Sequence, residues 1–95
     1  MSPKNIKKLD KLRKELDKID LELLNIIKKR SILVKDVLAL KEFKKQIVDK
    51  KRINFILKKI KSLSIKKNID PKITNRIWKN MIWSYIDFER RNFKK

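Results

Sequence analysis

The chain of 95 residues contains no cysteine, no histidine and no glycine, and only two prolines. Each absence removes a chemistry. Without cysteine there are no thiol nucleophiles and no disulfides, without histidine there is no imidazole base, and the two together remove the usual zinc ligands. Without glycine, no phosphate-cradling loop of the P-loop or dinucleotide-binding kind can be built. No apolar run approaches the roughly eighteen residues that a membrane span needs, and no signal peptide precedes the first periodic segment. The expected location is therefore the cytoplasm, with no membrane partner. Any catalysis must use carboxylates, amines, guanidinium groups, hydroxyls and amides, with neither a metal nor a cofactor expected.

What the chain has in excess is positive charge: 29 Lys plus Arg against 11 Asp plus Glu, a formal net charge of +18. A balance that basic favours anionic partners through long-range attraction, nucleic acid being the obvious one. A compositional origin competes with that reading. Lys, Ile and Asn are abundant together, as an AT-rich coding sequence produces, and the lysines are scattered as on a solvated face. A basic helical nucleic-acid binder would need its cations on one exposed stripe and would lose affinity steeply with salt.

Helix punctuation divides the chain in three. Ser2 and Pro3 form a start signal, and from there to about Phe43 an almost unbroken apolar period predicts one helix of roughly 60 Å at 1.5 Å per residue. That is about twice the diameter of a monomer this size, so pairing with a second chain is expected. The segment from Gln46 to Asp49 breaks the period, and Asp49 can cap a second helix carrying Ile53, Ile56, Leu57, Ile60 and Leu63 and ending near Asn68. Asp70 and Pro71 repeat the start signal for a third helix that runs nearly to the C-terminus. With no strand signal, internal repeat or linker, the fold class is all-α: three helices per chain, the first one long, in a single domain over residues 1–95.

Polar residues interrupt the apolar rows. One heptad register of the first helix collects Leu9, Leu12, Leu16, Ile19, Leu23, Ile26, Leu33, Val37 and Leu40, and its remaining position is Arg30. An unpaired buried guanidinium is costly, so an anion should meet it. Lys41 lies eleven residues on, three helical turns away, and Arg13 lies beside the same stripe near the helix start. In the third helix Trp78, Ile82, Tyr85 and Glu89 form a row at spacings of four, three and four, ending in a carboxyl group. Each has an ordinary explanation: Arg30 could pair with an acid of a partner chain, Lys41 could snorkel, and Glu89 could bridge to Arg90 or Arg91. Together, three cations and one carboxyl group beside apolar rows suit a pocket for a small polyanion.

The stretch LRKELDKIDLELLNIIKKRSILVKDVLALK resembles the first helix of the all-helical chorismate mutase family. Its pattern of an Arg, an apolar–Asp pair, a second Arg and a Lys falls on Arg13, Ile19 with Asp20, Arg30 and Lys41 without a gap. IWKNMIWSYIDFERR resembles the family's third helix, with Tyr85 and Glu89 on its pocket positions. The resemblance implies an intertwined homodimer whose pockets are shared between subunits. It also implies a substrate, chorismate, that is a cyclohexadiene dicarboxylate bearing an enolpyruvyl ether. By similarity Arg30, with Arg13 from the other subunit, clamps the carboxylates, while Lys41 and Glu89 are the catalytic donors to the ether oxygen. The implied activity is the pericyclic Claisen rearrangement of chorismate to prephenate, in aromatic amino acid biosynthesis. Such a reaction needs no nucleophile, metal or base, which matches a chain without His, Cys or Gly.

The chain departs from the family at the start of the second helix. An Arg and then a Glu that receives the ring hydroxyl are usual there, whereas this chain has IVDKKRI after a connection some three residues shorter. In the preferred pairing Lys50 takes the Arg position and Lys51 the Glu position, with Arg52 just beyond, and all three are candidate substrate-binding residues. A lysine donates to a hydroxyl oxygen but cannot accept its proton. The ring substituent therefore stays open between chorismate and isochorismate. An isochorismate pyruvate lyase, giving salicylate and pyruvate, is the alternative within the fold, and WSYIDFERRNF has some likeness to that branch. Aminodeoxychorismate, cationic at its amino group, suits Lys51 least.

Overall fold

The computed structural model describes residues 1–94. Three α-helices follow one another: α1 (Pro3–Leu40), α2 (Lys50–Lys66) and α3 (Pro71–Asn92), with a short 3₁₀ turn at Lys44–Gln46 between the first two. There is no strand among the described residues. The chain divides into two compact units, Met1–Leu33 and Val34–Lys95.

The first unit is a single helical stretch, and its start follows from the sequence. The Ser2 hydroxyl accepts from the Asn5 amide at 3.2 Å, which satisfies one of the otherwise orphaned first-turn donors, and the Ser2 carbonyl accepts the first regular helical bond, from the Ile6 amide at 2.9 Å. No glycine or proline follows inside the helix to interrupt it. No residue of this unit is buried, and only Leu9, Arg30 and Ser31 are even half-buried.

The second unit contains the end of α1, the connection, α2 and α3. Its core is Leu38, Ile47, Ile82 and Ile86, with Val48, Ile53, Ile56, Leu57 and Phe93 packed around them. The core is small, and no side chain among the described residues is completely sealed from solvent. α2 and α3 are also tied by a polar contact. The Ser64 hydroxyl donates to the Ile60 carbonyl at 2.6 Å and lies 2.7 Å from the Thr74 hydroxyl. The Thr74 hydroxyl also lies 3.4 Å from the Pro71 carbonyl, so the two hydroxyls share one short polar chain across the helices.

The turn between α2 and α3 shows how a helix ends without glycine. Asn68 takes the left-handed conformation (φ 58°), the Ile69 amide reaches back to the Ser64 carbonyl at 2.9 Å, and the Asn68 amide to Ile65 at 3.2 Å. This is a Schellman cap with asparagine, the commonest substitute, in the usual glycine position. α2 therefore stops at Lys66, with Asn68 serving its cap. Asp70 then starts α3, its carboxylate accepting from the Lys72 amide at 2.9 Å with Pro71 in the first turn.

α1 stops at Leu40, three residues short of the extent its periodicity predicts. The Lys41 amide bonds to Leu38, tightening the last turn, and the next two amides, of Glu42 and Phe43, are taken by the Gln46 side chain at 2.8 Å each. Those amides are thereby diverted from the carbonyls a continuing helix would use. Lys41 is consequently the first residue beyond α1 rather than part of it.

Candidate active site

The site begins on the inward row of α3. Ile82 and Glu89 are buried and Trp78 and Tyr85 half-buried, so the spacing of four, three and four does form one packed face that ends in a carboxyl group. The Glu89 side chain is only 7% exposed. A carboxylate that dry needs a strong partner, because removal from water without one is costly. Lys41 supplies it: its ammonium, 18% exposed as a side chain, donates to Glu89 Oε1 at 2.8 Å across 48 residues of sequence. The length fits a charge-assisted hydrogen bond.

The connection that follows Lys41 leads into the start of α2. Ile47 plugs into the core, and Asp49 turns its carboxylate to the start of α2, accepting from the Arg52 amide at 3.0 Å. Between them opens a cleft of about 630 Å³ lined by Lys41, Gln46, Val48, Asp49, Lys50 and Lys51. Three of the six lining side chains carry ammonium groups against one carboxylate, that of Asp49, which also caps α2. The cleft is therefore electropositive and rich in donors, a setting for anionic oxygens.

Lys41 and Glu89 are in direct contact, and Lys50 and Lys51 line the cleft with Lys41. Arg52 is not among the lining residues; its guanidinium lies over the Phe55 ring, 5.4 Å from the centroid. Tyr85 is half-buried on the α3 row that ends in Glu89. In the first unit Arg30 is half-buried and Arg13 exposed. Gln46 and Val48 line the cleft without having been singled out. The signal for Gln46 was the short connection itself, since a loop without glycine needs a side chain to satisfy its turning backbone.

An all-helical fold in which a buried carboxyl group meets an ammonium group, with a lysine-lined cleft next to that ammonium, offers the donors and charge that anionic oxygens take. The comparisons make this specific. A family model described as chorismate mutase type II matches residues 12–90. A curated chorismate mutase of Methanocaldococcus jannaschii is 35% identical over 78 residues, which cover 81% of this chain and 79% of that protein. No solved structure matches the chain. The chain belongs to the chorismate mutase type II family and is thus an enzyme of an isomerase family. Both matches bear the mutase name, so they do not favour the lyase branch. No helix of the described residues is long and apolar enough to cross a membrane.

Proposed function

We propose that this chain converts chorismate to prephenate, working as a homodimer whose pockets take residues from both subunits. The observation that carries the catalytic part is the Lys41–Glu89 contact at 2.8 Å, which joins the two positions that the family resemblance assigns to the ether oxygen. The reaction is an isomerisation in which one C–O bond breaks as one C–C bond forms, through a cyclic shift of electron pairs. No atom is gained or lost and no proton need move. The protein's contribution is to hold the folded conformer and to stabilise negative charge developing on the ether oxygen.

In this reading the two carboxylates of the substrate are held by Arg30 and by Arg13 of the partner subunit. Lys41 exchanges its resting acceptor, Glu89, for the ether oxygen. Glu89 donates to the same oxygen only in its protonated form, since an ionised carboxylate has no proton to offer. Lys50 and Lys51 serve the ring side of the substrate from the cleft wall, with Arg52 and Tyr85 as further substrate-binding residues. Support for the dimer comes from the first unit. Leu12, Leu16, Ile19, Leu23, Ile26 and Leu33 form one stripe, interrupted only at Arg30, and are each between 51% and 63% exposed, an apolar surface of the kind that a second copy covers.

The test is incubation of the purified protein with chorismate and, separately, with isochorismate, with products identified by chromatography. Prephenate from chorismate is the expected outcome; salicylate and pyruvate from isochorismate, or no turnover of either, would overturn the proposal. Lys41→Ala should lower kcat and kcat/KM together by about 10²- to 10³-fold, the usual cost of one donor to a developing oxyanion. Unchanged turnover would remove Lys41 from catalysis.

A further inference from the structure

Gln46 is the one uncharged polar side chain among the residues lining the cleft. Its carboxamide oxygen accepts two backbone amides, those of Glu42 and Phe43, both at 2.8 Å. A carbonyl oxygen offers two lone pairs, so this acceptor is fully used. The same two bonds fix the orientation of the amide, because the flipped arrangement would set an NH₂ group against two N–H donors. What Gln46 has left to offer is its Nε2 group, with two protons, at the edge of a cleft that also holds three ammonium groups.

Building on the chorismate mutase reading above, we infer that Gln46 has two roles in this enzyme. It is a positioning residue for Lys41, because its two bonds end α1 and so decide where the chain leaves the helix. It is also a substrate-binding residue, donating from Nε2 to an anionic oxygen of the bound dicarboxylate. The two roles support each other. A side chain already immobilised by two hydrogen bonds surrenders little further freedom on binding, unlike the flexible lysines beside it. Its donor is thus set in advance, whereas the ammonium groups supply attraction of longer range.

Two substitutions separate the roles. Gln46→Glu keeps an oxygen facing the Glu42 and Phe43 amides, so the turn is retained, but it replaces the NH₂ group with a second carboxylate oxygen. Gln46→Ala removes the staple and the donor together. With chorismate as substrate, Gln46→Glu should raise KM on the order of tenfold with kcat within about threefold, the signature of lost uniform binding. Gln46→Ala should lower kcat on the order of tenfold as Lys41 loses its fixed exit from α1, with KM raised as well. A KM for Gln46→Glu within about twofold of the parent protein overturns the binding role, and an unchanged kcat for Gln46→Ala overturns the positioning role. If Gln46→Ala fails to fold by circular dichroism, the Gln46→Glu result still decides whether the amide meets an anion. Turnover by the parent protein separates the two levels of inference: its absence overturns the functional reading and this inference with it, whereas turnover with insensitive Gln46 variants overturns this inference alone.

Discussion

The Lys41–Glu89 pair makes an asymmetric prediction about stability. Lys41→Met keeps the length of the side chain and removes its charge, leaving the Glu89 carboxylate, 7% exposed, without its partner. Breaking a buried pair in this way typically costs about 3–5 kcal/mol, and an exposed pair about 0–1. Lys41 is 18% exposed and keeps some contact with water, which argues for the lower end of the buried range, roughly 3 kcal/mol. Glu89→Gln is milder, because the amide oxygen can still accept from the ammonium, and should cost about 1 kcal/mol. Lys41→Met placed on top of Glu89→Gln then removes only a hydrogen bond to a neutral group, about 1 kcal/mol again. The double variant should therefore be more stable than the sum of the single losses implies, with a coupling of about 2 kcal/mol. Urea unfolding at one fixed protein concentration measures all four proteins, the concentration being held constant because self-association shifts the midpoint. Additivity within about 0.5 kcal/mol, or a larger loss from Glu89→Gln than from Lys41→Met, would refute the claim that Glu89 depends on Lys41 for its charge compensation.

Two further outcomes test the helix ends and the proposed dimer. At Asn68, where φ is 58°, glycine should be neutral or slightly stabilising, whereas Asn68→Val should cost about 1–2 kcal/mol and lower Tm by roughly 4–8 °C per kcal/mol in thermal melts followed by circular dichroism. Equal melting of the two variants would remove the cap from the account of the α2–α3 turn. On the α1 stripe, Ile19→Glu puts a charge at the middle of the apolar surface, and light scattering should then report a monomer in place of the proposed dimer. Retention of the parent mass would show that the stripe is not the contact surface.

Much of the architecture was legible in the sequence because this chain marks its helix starts with side chains. Ser2, Asp49 and Asp70 are each followed by helix, and all three accept a backbone amide from the first turn. The α3 row was legible for a different reason: a spacing of four, three and four is a face whatever it packs against, so Glu89 had to lie on the side of Trp78, Ile82 and Tyr85. The end of α1 was not legible. Periodicity carried the helix to about Phe43 because it reports which face is apolar, while the stop depends on two amides captured by a glutamine a few residues ahead. Arg52 illustrates a similar limit. Its position beside Lys50 and Lys51 suggested a shared role, and nothing in the sequence signalled that its guanidinium lies over the Phe55 ring, 5.4 Å from the centroid.

The absence of glycine links these helix ends to the chemistry. Where glycine commonly closes a helix or opens a turn, this chain uses side-chain oxygens at Ser2, Gln46, Asp49 and Asp70 and a left-handed asparagine at 68. Most of these caps serve the backbone alone. Gln46 and Asp49 also line the cleft, and they bracket Ile47, whose burial anchors the connection in the core. The connection therefore has little freedom to shift without losing a cap or exposing an isoleucine. That rigidity is what a reaction without covalent chemistry requires, since its rate depends on donors already standing where charge will develop. A longer glycine-containing loop could satisfy the same backbone amides, but Lys41 would then leave α1 at a position set by a mobile segment. The short connection that departs from the family pattern is thus also the element that fixes where Lys41, the proposed donor, leaves α1.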